Sequence, residues 1–403
     1  MSDMLIATLN TGSSSIKIAA YAAEAGGVPK EPLLRVNLSG LPGAPNLSAK
    51  SDDPDVAGRF AAGADVSNLA LDTLAPRLLD ALETALGAPV AAVGHRIVQG
   101  GPEIEESRRA TPEMLAYLET LTPMAPDHQP HNLAAVRAIA ASRPGLAQTL
   151  SFDTAFHRSQ PRLAQLYAIP RALTEAGMIR YGYHGLSYSH ISRRLPELFP
   201  DRAYRRTLAL HLGSGASLCA MLDGKSVACS MGFSANSGIG MATRSGDLDP
   251  GAILYLLSEK QMSAEAVSLM LRQQSGLLGV SGVSGDLRAV EASDTAAAKE
   301  AVALFVYRIV RECGSMIAAL GGLDALVFTA GIGENSRTVR AGIAEGLAWA
   351  GVAMDAAANE AGAADLAAPE SAVGIAVIAA DEEWEIARGC LAILGSGSES
   401  GSE

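Results

Sequence analysis

The groups in this sequence that could do chemistry are few, and most sit beside apolar runs. His95 and Arg96 interrupt Val93-Gly94-His95-Arg96-Ile97-Val98, a run of buried character. A guanidinium there must be paired or face a ligand. Arg244 lies in the polar loop Ala242-Thr243-Arg244-Ser245-Gly246-Asp247. Two arginines can brace a transferring phosphoryl group, whose charge spreads over its equatorial oxygens. Each is equally compatible with a structural salt bridge. Asp153 follows Leu150-Ser151-Phe152 at a strand's carboxyl end, where open α/β sheets place their ligand-binding groups. Glu382 and Glu383 follow the last apolar run. With Asp153 they could share Mg2+, which takes oxygen ligands and bridges phosphates. They also read as an acidic pair at a helix start. His184, between Gly182-Tyr183 and Gly185, and His128, in Pro126-Asp127-His128-Gln129-Pro130, lie in rigid loops. A lone histidine is more often a structural donor.

Three turns could hold phosphates. Asn10-Thr11-Gly12-Ser13-Ser14-Ser15 ends a strand with hydroxyl and amide groups around one glycine. Such a turn can wrap anionic oxygens with its backbone N–H groups. His211-Leu212-Gly213-Ser214-Gly215-Ala216-Ser217 makes a similar turn, and Ala330-Gly331-Ile332-Gly333-Glu334-Asn335-Ser336 joins a strand to a helix. Helix starts favour negative charge. Each turn is weak evidence alone, and together they favour nucleotide binding. No Gly-Lys-Ser/Thr follows any of them, so none is a Walker A loop.

Alternating strands and helices must position these groups. Met4 to Leu9 and Ile16 to Tyr21 read as a hairpin, and residues 25–68 as short strands and loops. Leu71 to Leu86 has helical spacing and stops at Gly87. Val90 to Val98 reads as a strand. Thr111-Pro112 starts a helix that runs to about Leu121, and His131 to Ser142 is another. Leu208 to Leu212 is a strand; Leu218 to Leu222 and Ser226 to Cys229 flank Asp223-Gly224, a hairpin signal. Thr295 to Leu320 is a long helix, Ala325 to Thr329 a strand, and Asn335 the cap of a helix ending at Gly351. Ala372 to Ile378 is the final strand. The pattern predicts an α/β protein. The two hairpin-plus-turn units, at 4–21 and 207–229, suggest a duplicated domain.

Composition sets the limits. The 403 residues suggest two or three domains. The net charge is -12 and no dense Lys/Arg run exists, which argues against nucleic acid as partner. No apolar run reaches ~18 residues, so no membrane span is expected. The four cysteines lack C-x-x-C spacing and read as reduced thiols of a cytoplasmic protein. Ser396 to Glu403 is Gly, Ser and Glu only, which reads as a flexible tail. H-E-x-x-H is absent and G-x-S-x-G occurs only in broken form, so neither a zinc protease nor a serine hydrolase is supported.

Taken in order, several segments resemble the acetate kinase family of acyl kinases. They are Leu9-Asn10-Thr11-Gly12-Ser13-Ser14-Ser15-Ile16-Lys17, Gly94-His95-Arg96-Ile97-Val98 and Phe152-Asp153-Thr154-Ala155-Phe156-His157. Then come Arg180-Tyr181-Gly182-Tyr183-His184-Gly185, Met231-Gly232-Phe233, Thr243-Arg244-Ser245-Gly246-Asp247 and Phe328-Thr329-Ala330-Gly331-Ile332-Gly333-Glu334-Asn335-Ser336. The resemblance runs from residue 4 to about 393. It implies an actin/hexokinase-like (ribonuclease H-like) fold of two related domains that close over ATP. The domains would be 1–150 with a returning helix at 384–395, and 151–383, the latter carrying a homodimer interface. It further implies reversible in-line transfer from ATP to a small carboxylic acid, acetate or propionate, with Mg2+ or Mn2+.

The implied roles follow position by position. Arg96 and Arg244 would neutralise the phosphoryl group and His184 would donate to it. His128 would line the transfer site. Asp153, Glu382 and Asn10 would hold the metal. Asn10, Ser14, Lys17, His211, Gly213, Gly215, Asp286, Leu287, Arg288, Gly331, Ile332, Gly333 and Asn335 would bind ATP or ADP. Val98, Asp127, Tyr183 and Ala235 would shape the acid pocket. The pocket is where the sequence departs from the family: Asp127 stands where an apolar residue is common, Ser234-Ala235-Asn236 replaces Thr-Pro-Leu, and Tyr183 replaces Phe. Gln99 and Ser214 replace a usual His and Asn. Asp127 either reads a polar substituent on a larger acid or turns aside, and Ala235 leans towards propionate. The competing readings are a sugar kinase with Asp153 as base, which two arginines argue against, and a non-catalytic actin-like ATP-binding protein.

Overall fold

In the computed structural model, which describes residues 4–396 apart from 13–14, 25, 42–43, 65, 67–70 and 203, the two hairpin patterns open two separate sheets. The first contains β1 (Met4–Thr11), β2 (Ser15–Ala23), β3 (Leu34–Ser39), β4 (Asn46–Lys50), β5 (Ala92–Ile97), β6 (Arg108–Arg109) and β7 (Ala147–Phe152), in the order β4-β3-β2-β1-β5-β7-β6. The first four strands are an antiparallel meander; β5 runs parallel to β1 and to β7. The second contains β8 (Arg206–Leu212), β9 (Ala216–Leu222), β10 (Lys225–Cys229), β11 (Ala325–Thr329) and β12 (Gly374–Val377), ordered β10-β9-β8-β11-β12. Here too an antiparallel meander is followed by strands parallel to its first member. The order β3-β2-β1-β5-β7 therefore recurs as β10-β9-β8-β11-β12. In each sheet the phosphate-type turn joins the first strand to the second.

The chain divides into two compact units, Met1–Phe156 with Asp381–Glu403, and His157–Ala380. In the first, helices Pro54–Gly63 and Leu71–Leu86 cover one face through Phe60, Leu74, Leu78 and Leu82. Helix Glu382–Ser396 covers the other, where Trp384, Ala387 and Cys390 pack on Ile6, Ala19, Tyr21 and Ala92. That helix lies so close that a methyl group on Gly94 would stand 2.7 Å from Ile386 Cγ2 and 3.2 Å from its carbonyl oxygen. Both faces of β1 are thus covered, and all but its first residue are buried.

Local signals explain most element ends. Thr111 accepts from Met114 N ahead of Pro112, and Thr295 accepts from Ala298 N to start helix Ala296–Leu320. That helix ends at Gly321 in the left-handed region (φ 70°). The β9–β10 turn puts Asp223 at φ 49° and Gly224 at φ 76°, the mirror-image turn that a two-residue hairpin requires. Two expectations are corrected, and one helix had not been anticipated. The segment read as strands and loops contains helix Pro54–Gly63, capped by Asp53. Asn335 is not a cap but the last residue of helix Ala330–Asn335; Ser336 caps the next helix, Arg337–Gly346, by accepting from Val339 N. Helix Gly185–Leu198 carried no distinct sequence signal, because its stop is Phe199 rather than glycine. The flexible tail expected from residue 396 onwards lies, after Ser396, outside the described residues. Among the described residues no helix is long and apolar enough to cross a membrane. The four cysteines are free and buried.

Burial leaves a pH signature. His95 on β5, its Nε2 2.8 Å from the Gln148 carboxamide, is pushed down by desolvation to about 4. His157, held by Ser226 Oγ and Tyr183 O, is likewise pushed down by burial to about 4. Between the ordinary imidazole value of ~6.5 and 4 the unfolded chain binds a proton at each site that the folded chain refuses. Stability is therefore complete above that window and lost as pH falls through it, by up to about 3 kcal/mol per histidine. The urea midpoint is expected to drop between pH 7 and pH 4.5, and His95→Gln to flatten the slope.

Candidate functional site

In the first unit the candidate groups gather at the carboxyl ends of β1, β5 and β7. Arg96 forks onto Asp153, Nε to Oδ1 at 3.0 Å and Nη2 to Oδ2 at 2.5 Å, and its Nη1 donates to Asn10 Oδ1 at 3.2 Å. Asn10 Nδ2 donates to Glu382 Oε2 at 2.9 Å and Glu383 Oε1 at 3.3 Å. Glu382 Oε2 also stands 3.9 Å from Arg96 Nε. Burial alone would push the Arg96 guanidinium down, but Asp153 and Glu382 outweigh it and hold it above its ordinary value. A second cation, Arg35 on β3, pairs with Asp381 at 3.0 Å and reaches Glu383 at 3.6 Å. The first turn of helix Glu382–Ser396 is thus drawn onto the strand ends by charge. Lys17 is exposed and directly opposite Asn10 in the β1–β2 pair. Ser14 lies outside the described residues.

Val98 is buried, and its N–H donates to Asn132 Oδ1 at 3.1 Å; the Asn132 amide donates in turn to Thr11 O. Asn132 thereby pins the segment after β5 to the end of β1. Sequence reasoning missed it, because an asparagine inside a helix carries no distinct signal. His128 and Asp127 are half-buried at the start of helix Gln129–Ser142, where His128 is the N-cap residue.

The donor set fits a divalent cation. Asp153, Asp381, Glu382 and Glu383 bring four carboxylates to these strand ends. Among the described residues no three His, Cys, Asp or Glu side chains close around a point. Mg2+ needs only one or two carboxylates, completing its shell with water and phosphate oxygens.

In the second unit the groups gather where β8 turns into β9. His184 sits in the left-handed region (φ 59°) as the residue before helix Gly185–Leu198. Such a conformation is sparse for a side chain other than glycine and is found at functional sites. Its Nδ1 lies 2.8 Å from Ser217 Oγ on β9. Its ring stacks on His211 of β8, centroids 4.1 Å apart and planes at 21°. A methyl group on Gly215 would stand 3.2 Å from His184 Nε2 and 3.6 Å from Arg244 Nη1, so an imidazole and a guanidinium converge on this turn. Arg244 Nη1 donates to Ala235 O at 2.9 Å. Tyr183 spends its hydroxyl on Phe233 O at 2.7 Å, fixing the segment that carries Ala235.

The other nucleotide candidates are placed more loosely. A methyl on Gly213 would lie 3.6 Å from Ala330 Cβ and 4.0 Å from Gly331 N, so the turn adjoins the start of helix Ala330–Asn335. Gly331 has open space around it, Ile332 is half-buried, and Gly333 packs against Phe328 and Leu210. Asn335 Nδ2 returns to Gly331 O at 2.9 Å. Asp286 caps helix Leu287–Glu291 and also binds the exposed Arg288, while the Leu287 side chain belongs to the core. Arg340, missed in sequence, is fully buried and clamps this region: it donates to Gly333 O, Glu334 O and Asn359 Oδ1.

Comparison with known proteins converges. Residues 5–388 match the acetokinase family model. The acetate kinase of Rhodopseudomonas palustris strain TIE-1 is 45% identical over 392 residues, covering 96% of this chain and 98% of the relative. The propionate kinase structure from Francisella tularensis superposes with a TM-score of 0.85 at 31% identity, over 96% of this chain and 98% of that one. The Porphyromonas gingivalis acetate kinase structure gives 0.79 at 33% identity, over 97% and 100%. The fold is accordingly actin/hexokinase-like.

The Arg96–Asp153 pair makes its own prediction. Asp153→Ala removes the nearest carboxylate from a largely buried cation, and breaking such a pair costs about 3 kcal/mol. The urea midpoint of the variant is expected to fall accordingly, while Arg96→Met with Asp153→Ala together recovers most of the loss.

Proposed function

This chain belongs to the acetokinase family and is an acyl kinase, a phosphotransferase whose acceptor is a carboxyl group and whose phosphoryl donor is ATP; from that premise we propose that its acceptor is acetate or propionate. The observation that carries the site assignment is the convergence of His184 Nε2 and Arg244 Nη1 on Gly215. Two donors aimed at a turn free of side-chain bulk suit an oxyanion better than a neutral group. The similarity to acetate and propionate kinases does not favour Asp127 as reader of a polar-substituted acid, nor a sugar kinase, nor a non-catalytic ATP-binding protein.

The proposed mechanism is positioning and charge neutralisation. A carboxylate is already ionised at neutral pH, so in-line attack on the γ-phosphoryl group needs no general base. Arg96 and Arg244 balance the charge on the equatorial oxygens, and His184 donates a hydrogen bond to one of them. His128 lines the transfer site. Asp153, Glu382 and Asn10 would hold Mg2+, which neutralises phosphate charge and orients the ATP chain. Lys17, His211, Gly213 and Gly215 serve the phosphates. Gly331 to Gly333, Asn335 and the Asp286–Arg288 segment serve the adenosine. Val98, Asp127, Tyr183 and Ala235 shape the space for the acid's alkyl end.

We also assign a cytoplasmic location, supported by four free, buried thiols, and a homodimer. Helix Pro250–Ser258 supports the dimer. It is apolar, buries none of its residues, and leaves Leu254 64% and Tyr255 51% exposed. Light scattering is expected to report twice the 41.4 kDa chain mass, and Leu254→Glu with Tyr255→Glu to halve it.

Acyl phosphate trapped with hydroxylamine, in the presence of ATP and Mg2+, tests the reaction across a panel of acids. Acetate and propionate are expected to react best. Arg244→Ala is expected to lower kcat by about 10²–10³-fold with a much smaller change in KM for ATP. Phosphorylation of glycerol or hexoses instead, or no product with any acid, would overturn the proposal.

A further inference from the structure

A buried hydroxyl relay stands behind His184. Ser217 Oγ lies 2.8 Å from His184 Nδ1 and is also hydrogen-bonded to the Tyr188 hydroxyl. Ser217 and Tyr188 are both fully buried. In one of the two directions open to these three groups, Tyr188 donates to Ser217 Oγ and Ser217 donates its single hydrogen to His184 Nδ1. An Nδ1 that accepts places the imidazole proton on Nε2, the atom that faces Gly215. The His211 ring is stacked 4.1 Å away, and the Arg244 guanidinium adjoins the same turn. The His211 ring is itself fixed, its Nδ1 2.8 Å from Ser187 Oγ.

Resting on the acyl-kinase reading, we propose that Ser217 and Tyr188 are positioning residues for phosphoryl transfer, which lock His184 as the neutral Nε2–H tautomer so that Nε2 donates to the transferring oxyanion. Neither residue touches substrate. Their effect is exerted through the imidazole, as in other sites where the partner of one ring nitrogen decides the function of the second. An imidazole in the opposite tautomer would present a lone pair to an anion and repel it.

The test reads the proton directly. In the ¹⁵N-histidine-labelled protein, a long-range ¹H–¹⁵N spectrum at neutral pH resolves the seven histidines, and His184→Gln identifies the signal. His184 is expected to carry its proton on Nε2 alone. Ser217→Ala is expected to give a mixture of tautomers and to lower kcat about tenfold or more, with KM for ATP and acid changed less than ~3-fold. Tyr188→Phe should have a smaller effect of the same kind, and Ser217→Thr, which keeps the hydroxyl, should restore both tautomer and kcat. A residue that merely packs would lower thermal stability and leave tautomer and the kcat-to-KM pattern unmoved. The proposal is overturned if wild-type His184 carries its proton on Nδ1, or if Ser217→Ala leaves tautomer and kcat unchanged. Absence of acyl phosphate with wild-type protein would instead defeat the functional reading, while the spectrum would still report the relay.

Discussion

A guanidinium with little access to water can persist at the end of a β-strand only if carboxylates meet it there. Arg96 is such a group, and much of the first unit is arranged around that requirement. Asp153 at the end of β7 takes two of its N–H groups. Asn10 at the end of β1 takes a third and relays the contact to Glu382 and Glu383. Those glutamates arrive only because the chain, after finishing the second unit, returns and lays its last helix on the first sheet. Gly94 permits that close approach one residue pair away from Arg96. The same strand, β5, thus supplies both the cation and the space for the helix that helps neutralise it.

The second unit repeats the strand order but solves a different electrostatic problem. Its turn is surrounded by two stacked imidazoles, the Ser217 and Tyr188 hydroxyls, and carbonyls that accept from Arg244 and Arg340. The two topologically equivalent turns thus carry different groups, charge pairs beside the first and imidazoles with hydroxyls beside the second.

Much of this was legible residue by residue. Strand ends at Thr11, Ile97, Phe152, Leu212 and Thr329 follow from apolar runs meeting polar turns. Thr111 and Thr295 declared their helices through capping chemistry, and Asp223-Gly224 declared its hairpin. Local chemistry misled where two breakers compete. Asn335 and Ser336 both make good caps, and the serine won because its side chain reaches Val339 N while the asparagine turns back to Gly331 O. Helix Gly185–Leu198 was silent because it starts from a strained histidine rather than from a favoured cap.

The amino-acid sequence by itself determined the family, the α/β class, the duplicated strand–turn–strand plan and the identity of the chemically capable groups, since each is encoded in types and spacings within a few residues. Only the tertiary structure decided which of those groups meet. Asn10 and Glu382 are 372 residues apart, and no local pattern predicts that they share a hydrogen bond. Nor could the sequence say that Ser217 and Tyr188 stand behind His184, because hydrogen-bond direction depends on where each buried group finds its partners. Periodicity specifies which side of an element is buried; the partner across the interface is chosen by packing of the whole chain.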